Sequence, residues 1–179
     1  MTHATEAILV HCTAQLRFAS PLGPLLLART EAGLAGAWFE NQKHHPTAID
    51  APERDDDPLL ADAAAQLAAY FSGARPAFDL RLDLQGTDFQ RAVWAELLRI
   101  ESGATCSYGS IARRLGVPAA SRAVGAAVGR NPVSVIVPCH RVVGASGSLT
   151  GYAGGIERKT ALLRLEAEGS ARRSGIGDS

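Results

Sequence analysis

The sequence predicts an α/β chain of the α+β kind: a small N-terminal unit of strands with one helix, then a mostly helical unit containing a helix-turn-helix. Three observations carry this. Short apolar runs separated by Ser-Pro-Leu-Gly and Glu-Ala-Gly turns fill residues 14–39 and read as an antiparallel meander. Residues 78–84, Phe-Asp-Leu-Arg-Leu-Asp-Leu, alternate strictly, as a half-buried strand does. From Thr87 onward the apolar period becomes helical, broken at Gly103 and at Gly116-Val117-Pro118.

Composition narrows the class. The chain has 179 residues, enough for one ordinary domain or two small ones with a real core. It holds no apolar run of the roughly 18 residues that span a membrane. No basic flank followed by an apolar stretch opens it, so a cytoplasmic protein without a secretory signal is expected. Cys12, Cys106 and Cys139 form no CxxC pair, which argues for a reducing compartment and against a disulfide framework or thiolate-rich zinc site. Cys12, His44 and His45 are ligand types, but their spacing matches no standard site, and neither metal nor cofactor is expected. Net charge is zero, yet residues 1–99 carry 8 Lys and Arg against 13 Asp and Glu, and residues 100–179 carry 10 against 5. The C-terminal half can therefore meet an anionic partner.

The elements follow in order. Residues 1–12 read as a flexible start. Strands are expected at Ala14–Phe18, Leu25–Arg29 and Leu34–Phe39, and a polar loop rich in proline and aspartate covers residues 41–57. Asp57 at an N-cap with Pro58 at N1 starts a helix whose apolar face is Leu59, Leu60, Ala63, Leu67, Tyr70 and Phe71. The first unit, residues 13–86, closes at Gln85-Gly86. Thr87 and Gln90 form a capping-box pattern before Phe89, Val93, Trp94, Leu97 and Leu98. Ser107-Tyr108 starts the next helix, and residues 119–128 supply the second helix of a helix-turn-helix. The last helix runs from about Ile156 to Glu168, ending a second unit over residues 87–168. Residues 169–179 have the composition of a disordered tail.

Chemistry gathers around Asn131-Pro132 and the following apolar run. Residues 133–137 read as a short buried strand stopped by Pro138, with Cys139 and His140 directly after it. A thiol at such a break can be favoured as thiolate by unpaired backbone N–H groups, with an imidazole as proton acceptor. An inert core cysteine is the alternative. Neighbours in a strand face opposite ways, so Cys139 and His140 cooperate only if the chain turns at Pro138. Glu166 on the last helix is the candidate orienter of His140. Arg113, Arg114, Arg122 and Arg130 lie on or beside the helix-turn-helix, where they can meet phosphates. Its second helix is rich in Ala and Gly, so it offers few base-reading side chains but permits close approach to another surface. Tight helix packing would explain the same residues. The glycine-rich segment 144–155, carrying Tyr152, reads as an active-site flap or an inert surface loop and matches no phosphate-binding pattern.

Taken together, Ser107-Tyr108, Ser121-Arg122-Ala123-Val124-Gly125, Asn131-Pro132, Pro138-Cys139-His140-Arg141-Val142-Val143, Tyr152-Ala153-Gly154-Gly155 and Glu166 resemble the O6-alkylguanine-DNA alkyltransferases. The resemblance is strongest between Phe89 and Glu166; residues 12–85 fit by order of elements and by the Ser-Pro-Leu-Gly turn. It implies a ribonuclease H-like N-terminal domain ahead of the helix-turn-helix domain. It implies a monomer that binds duplex DNA through the minor groove, flips out O6-alkylguanine (or O4-alkylthymine) and transfers the alkyl group irreversibly to Cys139. His140 would be the base through a water, Glu166 its orienter, and Asn131 the support of the network. Tyr108 would rotate the nucleotide and donate toward the guanine, and Arg122 would fill the gap in the stack. Ser121, Ala123, Gly125 and Arg130 would lie on DNA. The Cys139 and Val142 backbones, Tyr152 and the flap at Ala153 and Gly154 would line the base site.

Two departures stand out. Ile100-Glu101-Ser102-Gly103 replaces an Ile-Pro-x-Gly pattern, and Ala153 stands where some members place a serine, so that serine's role is not carried over. Alkyltransferase-like damage binders typically have tryptophan at the nucleophile position, which Cys139 speaks against. The poor base-reading helix disfavours a sequence-specific regulator, and no protease signature supports a cysteine hydrolase.

Overall fold

The structure, a computed structural model, describes residues 11–74 and 77–175. The three N-terminal runs form β1 (Ala14–Phe18), β2 (Leu25–Arg29) and β3 (Leu34–Phe39), an antiparallel sheet in sequence order. Leu16 pairs with Leu27, and Leu27 with Ala37, so apolar side chains align across the sheet. Leu25, Leu27, Leu34, Ala37 and Phe39 face the main core, while Leu26, Ala28, Ala35 and Trp38 join Cys12 and Ile49 in a smaller cluster. Both faces are covered, which is why β2 and β3 read as unbroken apolar runs rather than alternating ones. The first helix, α1 (Pro58–Phe71), packs on the main-core face; Asp57 caps it by accepting from the Leu59 and Leu60 N–H groups, as expected.

Residues 78–84 do not form the predicted strand. They touch β3 at one point: the Leu34 N–H donates to Arg81 O and its carbonyl accepts from Asp83 N–H, each at 2.8 Å. The alternation survives only as burial, with Phe78, Leu80 and Leu82 half-buried against the core. The reason is competition for one edge. Farther along β3, Ala37 N–H donates to Pro132 O (2.9 Å) and Ala37 O accepts from Ser134 N–H (2.8 Å). Two segments share an edge that neither fills.

Those bonds also join the halves. The main cluster runs without a break from the sheet through Trp94, Val124, Val133 and Cys139 to Leu162. The second half begins with α2 (Asp88–Leu98), held at its start by the expected Thr87/Gln90 capping box. Trp94 Nε1 donates to Ala127 O at 2.9 Å, clamping α2 onto the helix-turn-helix of α3 (Tyr108–Arg114) and α4 (Ser121–Gly129). Gly116, at φ +73°, closes α3: Val117 N–H bonds Ala112 O and Gly116 N–H bonds Arg113 O, a Schellman closure that turns the chain toward α4. A two-residue parallel ladder, β4 (Cys106–Ser107) with β5 (Val142–Val143), is too short to show a period and was not expected.

The last helix, α5 (Ile156–Gly175), continues beyond Glu168. The tail expected to be disordered is thus helical as far as Gly175, with Ser170 packed against the loop at Ser102 and Gly103. Residues 176–179, and residues 1–10 of the expected flexible start, lie outside the described residues. Among the described residues no helix is long and apolar enough to cross a membrane.

Candidate active site

The predicted strand over residues 133–137 is replaced by a single bridge at Val133 and a tight turn. Ile136 N–H bonds Ser134 O and Val137 N–H bonds Val133 O. Val135 sits at φ +71°, a left-handed conformation that strains a β-branched side chain by about 1–3 kcal/mol. Asn131 stabilises the turn from inside. Its Oδ1 accepts from Val133 N–H (3.0 Å), and its Nδ2 donates to Val137 O (2.8 Å) and to Cys139 Sγ (3.0 Å). The amide that shapes the turn therefore also aims a donor at the sulfur.

Pro138 leads into a 3₁₀ turn over Cys139–Arg141. With about three residues per turn, successive side chains diverge by roughly 120° rather than pointing to opposite faces, so Cys139 and His140 share one interior. His140 is fully buried, and its Nε2–H donates to Glu166 Oε1 at 2.8 Å. That bond leaves Nδ1 as the basic nitrogen, buried and without a hydrogen-bond partner among the described residues. Glu166 is saturated: Arg141 donates to it from Nε (2.9 Å) and Nη2 (2.8 Å), Tyr70 Oη at 2.6 Å and Gly103 N–H at 3.3 Å. Gly103 has φ +89°, and a Cβ there would meet Ser170 Oγ. Arg141 also bonds Ile100 O.

The electrostatics follow from this burial. Burial pushes the Cys139 thiol up to about 11, against the opposing pull of the Asn131 bond and the Lys159 charge, so the resting group is a protonated thiol. Burial lowers His140, more than Glu166 raises it, and keeps the ring neutral. Burial would raise Glu166, but its bonds from His140 and Arg141 outweigh that and hold it well below the carboxylate range.

These shifts set a pH window. Folded His140 binds a proton less readily than its ordinary 6.5, and folded Glu166 less readily than its ordinary 4.5, so the unfolded chain takes up more protons on acidification. Stability is whole above about pH 6.5 and is lost below it, first through His140 and then through Glu166. Cys139 acts oppositely: the unfolded thiol ionises above its ordinary 9.0 while the folded one stays protonated, so stability falls again on that side, with Lys159 opposing in part. Melting temperature should therefore show a plateau from about pH 6.5 to about pH 9; a rise on going from about pH 7 to about pH 5 would contradict the assignment.

Above the thiol lies segment 144–155. Tyr152 is buried with its ring edge-on to His140, centroids 6.5 Å apart, and its Oη has no hydrogen-bond partner among the described residues. Lys159 is fully buried and donates to Val142 O and to Thr150 O (2.9 Å), tying the segment to β5. Tyr108, half-buried, donates from Oη to the same Thr150 carbonyl at 3.0 Å. Ala153 O accepts from Lys43 N–H (3.0 Å) and Gly154 O from Arg158 Nη1 (3.1 Å), while Arg158 covers the Phe39 ring at 4.6 Å.

Cys139, Asn131, His140, Glu166, Val142 and Tyr152 thus meet in one interior. Val142 O is engaged by Lys159, and Cys139 O accepts from Val142 N–H, so either backbone has only its second lone pair for a ligand. Arg122 and Ala123 are exposed on α4; Arg122 lines a surface concavity of about 530 Å³ with Tyr108, Ser121, Gly125 and Arg113. Arg130 lies at a second cleft beside Tyr152 and Ala153. Among the described residues no three His, Cys, Asp or Glu side chains gather as a metal site; Cys12 lies in the small cluster beneath the sheet, while His44 stands at the second cleft.

Three site residues have no role in the sequence pattern alone. Arg141 is there only part of a motif, although a buried guanidinium requires a carboxylate. Tyr70 is there only part of an apolar face, although a buried phenol needs a partner. Lys159 and Glu166 flank Leu162 on the buried stripe of α5, and two charges on such a stripe were a signal. Replacing Tyr70 by Phe removes one hydrogen bond to a carboxylate and should cost about 1.5–3 kcal/mol by denaturant titration, with slower reaction at Cys139. A variant as stable as the parent would exclude a role for that bond.

A helix-turn-helix and, in the same core, a thiol held by an amide and an imidazole held by a carboxylate are the class of fold and site that this chain presents. Residues 88–168 match the family described as 6-O-methylguanine DNA methyltransferase, DNA binding domain, and residues 14–84 match 6-O-methylguanine DNA methyltransferase, ribonuclease-like domain. The chain belongs to the 6-O-methylguanine DNA methyltransferase family. The methylated-DNA--protein-cysteine methyltransferase of Mycobacterium tuberculosis is 52% identical over 147 residues, 82% of this chain and 88% of its own length. The Methanosarcina acetivorans protein of the same name is 48% identical over 151 residues, covering 83% of this chain and 95% of the relative. The crystal structure of Mycobacterium tuberculosis OGT in complex with DNA superposes with a TM-score of 0.80 at 48% identity, covering 88% of this chain and 94% of that one. The ribonuclease H-like domain expected ahead of the helix-turn-helix agrees with these matches.

Proposed function

We propose that this protein is a methylated-DNA–protein-cysteine S-methyltransferase that repairs DNA by direct reversal, taking the alkyl group of O6-alkylguanine, and of O4-alkylthymine, onto Cys139. The observation that carries the reading is the pair of hydrogen bonds on one buried turn, Asn131 to the Cys139 sulfur and His140 to Glu166, in a chain that also carries a helix-turn-helix. Relatives of about half-identical sequence bear the corresponding name.

Duplex DNA lies with its minor groove on α4, where Ala123 and Gly125 leave room for a close backbone approach. Ser121 and Arg130 add backbone contacts, Arg122 enters the stack behind the departing base, and Tyr108 turns the nucleotide inward. The base stands against Tyr152, with flap N–H groups at Ala153 and Gly154 near the alkylated oxygen. His140 Nδ1 takes the Cys139 proton through a water, and Glu166 holds the resulting imidazolium. The sulfur then attacks the alkyl carbon in line. The S–C bond forms as the C–O bond breaks, and the electron pair leaves on guanine, where the Tyr108 hydroxyl donates once it exchanges the Thr150 carbonyl for the base; burial, which keeps that phenol protonated, suits it to this. A soft thiolate is the right nucleophile for such a carbon, and the substitution balances without a cofactor. The thioether product has no leaving path, so the protein acts once. It would work as a monomer in the cytoplasm, where thiols stay reduced.

The reading is tested with a duplex in excess over protein. Product should stop at one alkyl group per molecule; continued turnover would overturn it. Arg122→Ala should slow repair of duplex DNA about tenfold or more, the effect of ~1.4 kcal/mol in extrusion, without changing the fold. An unchanged duplex rate would rule out its role.

A further inference from the structure

We propose that Lys43, His44 and Arg130 form a phosphate site through which the N-terminal half grips the backbone of the extruded nucleotide. The inference rests on the functional reading above and extends it to the loop that follows β3. A cleft of about 450 Å³ opens where three elements meet: Lys43 and His44 after β3, Gly129 and Arg130 at the end of α4, and Tyr152 and Ala153 of the flap. The cleft thus shares Tyr152 with the proposed base site. A nucleotide whose base reaches that ring leaves its phosphate at the mouth.

The loop that carries the two basic residues is built in place. Gln42 is buried, and its Oε1 accepts from Phe39 N–H (2.8 Å) and from Ser134 Oγ (3.1 Å), inside the turn that leads to Cys139. Lys43 N–H is fixed on Ala153 O, and His45 N–H on Gln42 O at 3.2 Å. Asn41 and His44 both take left-handed conformations, φ +63° and +64°, which turn the chain tightly enough to leave the Lys43 and His44 side chains exposed. Opposite them α4 presents Ala126 and Gly129, so no bulky side chain fills the gap.

The charge is unbalanced. No carboxylate lines the cleft, and Lys43, His44 and Arg130 make no ion pair with any described residue. They stand close enough to be felt: after burial, the charges of Arg130 and Lys43 are what hold His44 below its ordinary value. Two cations and an imidazole held together without a counter-charge, with Lys43 and His44 on a loop anchored to the reactive turn and Arg130 at the end of α4, suit an anionic oxygen group. A phosphodiester of the bound strand has that chemistry and lies within reach.

The test measures binding of an O6-methylguanine duplex across a potassium chloride series, for the full-length protein and for a Lys43→Gln/His44→Gln double variant. Each lost phosphate contact lowers the slope of log affinity against log salt by about 0.9, so the variant slope should be shallower by about 1, and Lys43→Arg should keep the parent slope. Neutral methylphosphonates flanking the lesion should weaken the parent several-fold and the double variant, which keeps Arg130, clearly less. A variant slope equal to the parent's, or equal sensitivity of both proteins to the neutral linkages, overturns the phosphate site. Methyl uptake by the parent is followed separately. If the parent takes no methyl, the functional reading fails, and with it the nucleotide assigned to the cleft, whatever the slopes.

Discussion

Cys139→Ala should abolish alkyl transfer while leaving lesion-containing DNA bound. The sulfur is the one atom lost, and the side chain is 4 % exposed. Its removal costs about 1 kcal/mol on the scale of one buried methylene. The turn survives because Asn131 Nδ2 keeps its bond to Val137 O and its Oδ1 keeps Val133 N–H. No other thiol is held as this one is, since Cys12 lies in the separate cluster beneath the sheet and the Cys106 thiol, on β4, is turned to the Ser107 carbonyl rather than to Asn131. The exposed residues assigned to DNA, Arg122 and Arg130, are untouched. Methyl transfer by the variant, followed with labelled lesion, should fall below detection while its affinity stays within a factor of about two or three. Surviving transfer would place the nucleophile elsewhere, and lost binding would mean that the sulfur shapes the DNA surface.

Glu166→Gln should be the most destabilising conservative change in the site. The carboxylate accepts from Arg141, His140, Tyr70 and Gly103, and both it and Arg141 are buried. An amide turns two donors toward that ring of donors and leaves the guanidinium without its counter-charge. Breaking a buried pair from one side costs about 3–5 kcal/mol, a large part of the roughly 5–15 kcal/mol that holds a domain folded. The same change frees His140 from a fixed tautomer, so transfer should slow even where the variant remains folded. Denaturant titration checks the first effect and single-turnover kinetics the second. A loss under about 1 kcal/mol would show that the pair is not held as tightly as its bonds suggest.

What could be read before the structure was local. Asp57-Pro58 and the Thr87/Gln90 box state their roles within four residues and both caps form as expected, while α3 starts where Ser107-Tyr108 places it, with Ser107 as its cap. Asn131, Cys139 and His140 are legible together because they lie in one dense motif, and Glu166, a carboxylate on the last helix, is legible as a partner for His140; the structure brings the four together. What failed depends on distant chain. The strands expected at residues 78–84 and 133–137 have the right composition, but each meets only part of the edge of β3 because the other is also there. Val135 carries a residue type that speaks for a strand, yet Asn131 and the return to Val137 force it into a turn. The reach of α5 to Gly175 depends on packing of Ser170 against residues 102–103, which the tail's own composition does not display.

The central claim is that the Cys139 sulfur itself becomes the permanent carrier of the lesion's alkyl group. The most direct test is the intact mass of the protein after incubation with a duplex containing O6-methylguanine, followed by peptide mapping. The account predicts a gain of one methyl group per molecule, located on Cys139 and retained after the DNA is removed. Tight binding with no change in mass, or a methyl group found on any other residue, would contradict it.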